Sequence, residues 1–177
     1  MNILFVCTGN TCRSSMAEGI LKEKLKQIGE RDINVSSAGI SAFEGEHANE
    51  KAIMALKNRG INIKSHRAQQ ITRDMIYQSD LILTMTVSHK NVITNYIHND
   101  LDEDSPCPSV FTLKEYAYKI NGEKVNRNNL DIADPYGMDY NVYEQSMFEI
   151  EEELNKIVKN ISKLKYNGGI DESSSSK

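Results

Sequence analysis

The sequence contains no apolar run near the ~20 residues that a membrane-crossing helix needs, so no such segment is expected. It also lacks any dense block of lysine or arginine. With a formal net charge of −4, it is missing the basic surface that nucleic-acid binding requires. Residues 1–7 show neither the basic start nor the long apolar stretch of a signal peptide. Cysteine is scarce, at three residues, and an odd number without a secretory signal predicts reduced thiols and a cytoplasmic protein. None of these absences excludes a single anion pocket, because loop amides and one arginine are enough to build one.

What is present describes an ordinary domain. With 177 residues, 39% hydrophobic and 26% charged, the chain can form one full core. Residues 1–165 are read as that domain, and 166–177, with glycines and four serines in a row, as a disordered tail. Short apolar runs at 3–6, 33–36, 80–85 and 110–112 read as strands. Helical periodicity follows the first of them, with Met16, Ile20, Leu21, Leu25 and Ile28 on one face and Gly29 as the stop. Further helices are expected over 48–59, 72–78, 88–97, from 113, and over 140–164, with loops at 99–108 and 121–129. Strands alternating with helices imply an α/β fold of three layers: a four-stranded parallel sheet, flavodoxin-like, with helices on both faces. Ligands of such sheets sit at the carboxyl ends of the strands, where the strand order switches.

The first strand ends in Cys7-Thr8-Gly9-Asn10-Thr11-Cys12-Arg13-Ser14, and a helix follows directly. Consecutive amides closing onto a helix N-terminus form a cradle for a phosphate dianion. Gly9 permits close approach and unusual dihedrals, Asn10 tolerates left-handed geometry, and Arg13 can return a two-pronged donor to the phosphoryl oxygens. The same field favours a thiolate at Cys7, which can attack phosphorus and form a phosphocysteine. Ser14 can donate a hydrogen bond to that sulfur. A leaving group must be protonated, and Asp134, stiffened by Pro135 and walled by Tyr136, is the candidate acid. His66, His89 and His98 are read as surface or loop residues. A zinc site from Cys7, Cys12 and Cys107 lacks paired-cysteine spacing, and no metal or cofactor is expected. Oxidation to a reversible Cys7–Cys12 disulfide is one expectation for Cys12, and a small buried filler is the other.

These residues resemble the low-molecular-weight protein tyrosine phosphatases, and within them the bacterial protein arginine phosphatases. The resemblance covers about residues 2 to 160. It rests on the 6–14 loop, Met16-Ala17-Glu18, Ser37-Ala38-Gly39, residues 79–83, Met85-Thr86, the 110–116 run and Asp134-Pro135. It implies metal-independent hydrolysis with Cys7 as nucleophile, Arg13 as phosphate clamp and Asp134 as acid, then base. Thr8, Gly9, Asn10, Thr11, Cys12, Ser14 and Tyr136 would line the substrate. Tyrosine-specific members usually carry a bulky aliphatic residue at Thr11 and two aromatics after Asp-Pro, whereas here Tyr136 is followed by Gly137. A small polar Thr11 suits a planar guanidinium, and an aliphatic side chain suits a phenyl ring. Two departures stand out: Ser15 takes the place of a usual proline, and residues 117–132 form a longer segment than usual.

The expectation is thus a monomeric phosphatase acting on phosphorylated proteins at phosphoarginine. A phosphotyrosine phosphatase is the alternative. A thiol-dependent arsenate reductase and a non-catalytic phosphoprotein-binding module stand behind it.

Overall fold

In the computed structural model, residues 1–99 and 107–161 are described. Four strands, β1 (Asn2–Cys7), β2 (Asn34–Gly39), β3 (Leu81–Thr84) and β4 (Ser109–Thr112), form one parallel sheet in the order β2-β1-β3-β4. The helices are α1 (Arg13–Gln27), α2 (Glu50–Lys57), α3 (Arg73–Tyr77), α4 (Val87–Asn99), α5 (Leu113–Asn121) and α6 (Tyr140–Lys159). Side chains alternate along a strand, so β1 feeds both faces. Ile3, Phe5 and Cys7 join the larger core with α1, α2, α5 and α6, while Leu4 and Val6 join a smaller one with α3 and α4.

The chain goes from β1 to β2 on one side and then crosses to β3 on the other. The switch in strand order therefore falls beside the C-terminal end of β1, where a crevice forms between diverging connections. Cys7 is the last residue of that strand. Among the described residues no helix is long and apolar enough to cross a membrane.

The expected elements are all present, with two adjustments. The second strand begins and ends later than 33–36. It continues through Ser37, Ala38 and Gly39 because each pairs with β1, up to Cys7 opposite Gly39. Pairing and burial override the weak strand preference of alanine and glycine. Ile28 does not lie on the buried stripe of α1 and is half exposed. The helix ends at Gln27, and Gly29, at φ 73°, turns the chain while Glu30 N–H closes on the Leu25 carbonyl. The stripe of α6 holds at Tyr143, Met147, Ile150, Leu154 and Ile157. Leu164, most of the 99–108 loop and the 166–177 tail lie outside the described residues.

Candidate active site

The loop from Cys7 to Ser14 closes on itself at the sulfur. Cys7 Sγ lies 2.9 Å from Ser14 Oγ and accepts from the Asn10 amide at 3.3 Å. Asn10 sits at φ 57°, the one left-handed non-glycine position among the described residues. Its fully buried side chain fixes that conformation, since Nδ2 donates to Ser14 Oγ at 2.9 Å and to Ser37 Oγ at 2.8 Å. Oδ1 accepts from the Gln69 amide. Ser37 in turn donates to Glu18, and His66 Nε2 lies 2.7 Å from the Asn10 carbonyl. The left-handed geometry expected of Asn10 is thus present, whereas Gly9 has no positive φ, and a Cβ on it would meet only Thr11 Oγ1, at 3.8 Å.

A glycine is needed elsewhere. A Cβ at Gly39 would lie 2.4 Å from the Thr8 carbonyl and 3.0 Å from the Asn10 amide. The end of β2 is the bed on which the loop rests.

Helix α1 opens without a side-chain cap and without an acidic residue in its first turn. Uncapped N–H groups at a helix start, unopposed by carboxylates, suit an anion. Ser15, which stands where a proline is usual, ties this turn: its hydroxyl donates to the Cys12 carbonyl at 2.8 Å.

The acid candidate comes from 121 residues downstream of Arg13 and arrives beside the loop. Arg13 Nη2 meets Asp134 Oδ2 at 2.6 Å, and Nη1 donates to the Ile132 carbonyl at 3.1 Å. The guanidinium is buried and the carboxylate half exposed. Asp134 Oδ1 accepts from the Tyr136 amide at 3.1 Å, a local turn that Pro135 helps to set. Tyr136 itself is 75% exposed, so it stands at the rim. Cys7, Arg13 and Asp134 are therefore together, with Thr8 to Ser14 around them.

Cys12 is buried, 3.5 Å from Tyr143 Oη and 3.6 Å from Thr11 Oγ1. Burial pushes its thiol up, with hydrogen bonds from Tyr143 and Thr11 opposing. Cys7 and Cys12 are both free thiols.

Of the histidines read as surface or loop residues, His66 lies in a loop but is largely covered, and His89 is buried on a helix. His66 supports Asn10 from behind. His89 is 5% exposed and bridges Thr8 Oγ1 on Nε2 and Thr86 Oγ1 on Nδ1, both at 2.9 Å. Desolvation, then the nearby Arg13 charge, lowers its pKa to about 4, so the ring is neutral and gives one donor and one acceptor. A signal was available: His89, Ile93 and Ile97 recur every four residues as the buried stripe of α4. His98 is exposed, as expected.

Among the described residues no group of three or more His, Cys, Asp or Glu could hold a metal ion.

The chain is similar to known proteins. The family description "low molecular weight phosphotyrosine protein phosphatase" matches residues 2–167. A protein-arginine-phosphatase of Bacillus subtilis is 36% identical over 163 residues, covering 92% of this chain and 98% of its own. A probable low molecular weight protein-tyrosine-phosphatase of Ralstonia nicotianae is 33% identical over 92% of this chain and 97% of its own. A solved arginine phosphatase, a cysteine-to-serine mutant with a phosphorylated active-site serine, superposes with a TM-score of 0.77 at 36% identity. That match covers 92% of this chain and 97% of the other. The chain therefore belongs to the low molecular weight phosphotyrosine protein phosphatase family, and with it to the cysteine-dependent phosphatases.

Proposed function

We propose that the chain is a protein phosphatase that hydrolyses phosphoarginine through a phosphocysteine intermediate, without a metal. The thiolate of Cys7 attacks phosphorus while Arg13 and the loop amides hold the phosphoryl oxygens. The P–N bond breaks as Asp134 gives its proton to the departing guanidine nitrogen. Water then attacks the phosphocysteine, with Asp134 taking its proton. The thiolate leaves, stabilised by the Ser14 hydroxyl 2.9 Å from the sulfur.

Thr11 carries the choice of substrate. It lies in the loop, 7% exposed, where a branched aliphatic side chain would fill the space beside the leaving group. The arginine phosphatase of B. subtilis and the solved arginine phosphatase support the same reading. Phosphotyrosine is the second reading. The exposed Tyr136 ring would suit a phenol, and relatives named as tyrosine phosphatases match nearly as well.

Rates on phosphoarginine and phosphotyrosine peptides of the same sequence, with Cys7→Ser as control, decide between the two. Thr11→Ile is expected to shift the ratio of kcat/KM toward phosphotyrosine by at least tenfold, about 1.4 kcal/mol. An unchanged ratio refutes the role of Thr11.

A further inference from the structure

The 110–116 run was singled out in the sequence, yet the reaction uses none of it. Lys114 is its unexpected member, a lysine only 3% exposed. Buried lysines are rare unless paired, and this one has three partners for three donors. Nζ donates to Asn129 Oδ1 at 2.7 Å and to the Asp131 carbonyl at 2.8 Å, and it meets Glu149 Oε1 at 2.5 Å. Two of these acceptors lie in the segment that leads into Asp134.

The third partner points the same way. Glu149, on α6, uses its other oxygen, Oε2, to accept from the Ala133 amide at 3.3 Å. One turn earlier, Ser146 donates to the Ala133 carbonyl at 3.0 Å. On the sheet side, Asp131 Oδ1 accepts from the Val87 amide, and the Ile132 amide donates to the Met85 carbonyl at 2.8 Å. With the Ile132 carbonyl accepting from Arg13, each residue from 131 to 133 is held by two partners, and Asp134 is the first one past the clamp. A buried ion pair is a weak source of stability, since well-packed apolar residues of similar volume often do as well. What this pair supplies is a fixed position for the backbone that carries the carboxyl.

We infer that Lys114 and Glu149 are positioning residues for the proton-donating step, holding 129–133 so that Asp134 reaches the leaving atom. The inference rests on the reading of Asp134 as the acid. A general acid must come within about 2.6–3.2 Å of the atom it protonates, and a misplacement of about 1 Å costs up to about 10²-fold.

Lys114→Met tests this through leaving-group dependence of kcat/KM, which reports the phosphoryl transfer to cysteine. Phenyl phosphate and a phosphoarginine peptide need the proton, whereas 2,4-dinitrophenyl phosphate departs without it. The expected result is a roughly 10- to 100-fold loss on the first two and less than about threefold on the third. Equal losses on all three, or no loss on any, overturn the inference. Glu149→Gln keeps an acceptor for Ala133 while removing the charge that faces Lys114. It should show the same pattern more weakly, and it carries the test if Lys114→Met does not fold. Asp134→Asn separates the two failures. If it shows no leaving-group dependence, the reading of Asp134 falls. If it shows it and neither Lys114→Met nor Glu149→Gln does, only the positioning role falls.

Discussion

Replacing His89 with glutamine should flatten the acid side of the protein's stability curve. His89 is held neutral under the loop, its pKa lowered from 6.5 to about 4, first by desolvation and then by Arg13. The unfolded chain takes up this proton near pH 6.5, and the folded chain only near pH 4. Between the two the unfolded state holds more protons, so stability rises with pH across the window. Read downward, the contribution is complete above about pH 6.5 and is lost as the pH falls toward 4. The distance between these values, at about 1.4 kcal/mol per pH unit, amounts to on the order of 3 kcal/mol. Carboxylates titrate in the same range, so the informative quantity is a double difference. Urea unfolding of wild type and His89→Gln at pH 7.5 and 4.5 supplies it. Wild type should lose roughly 2–3 kcal/mol more than the variant over this interval. Parallel losses would refute the argument that a buried neutral imidazole supports Thr8.

Three further outcomes follow from the geometry. Gly39→Ala places a Cβ against the Thr8 carbonyl and should destabilise the protein by about 1–3 kcal/mol, read from urea midpoints, while weakening phosphate inhibition. Ser14→Ala removes the hydroxyl beside the departing sulfur. With a hydrogen bond to a charged group contributing about 1.5–3 kcal/mol, kcat should fall by roughly 10- to 100-fold, and a burst of released alcohol should appear with p-nitrophenyl phosphate. Cys12, buried and with its thiol pushed up, should remain unlabelled by iodoacetamide at pH 7 in the native protein, as read by peptide mass mapping. Rapid native labelling there would contradict the burial.

The sheet and the loop were legible because they rest on local signals. Each strand shows as a short apolar run, and the first run, the glycine-containing turn and the periodic helix lie within the first 28 residues. Asp134 is different: one Asp-Pro among many acids, it gained its meaning only from the family resemblance, since its partner Arg13 is 121 positions away. The supporting residues were illegible for the same reason. Nothing local distinguishes His66 or Lys114 from solvated residues, because their partners, Asn10, Asn129 and Glu149, are fixed by the packing of separate elements. His89 is the exception, since its place on the stripe of α4 marked it as buried. Gly9 and Asn10 are adjacent residues that can both accept a left-handed dihedral. Only Asn10 had side-chain partners waiting in Ser14, Ser37 and Gln69 to hold it there.

The contact between Arg13 and Asp134 changes what binding means at this site. A buried guanidinium without an anion would be unfavourable by several kcal/mol, and the carboxylate serves as its resident counter-ion. An incoming phosphate therefore enters by exchange, displacing one anion from the fork rather than filling an empty one. The free energy of binding registers only the difference between the two partners. A cradle this complete should hold free inorganic phosphate loosely, and the displaced carboxylate returns to help the product leave.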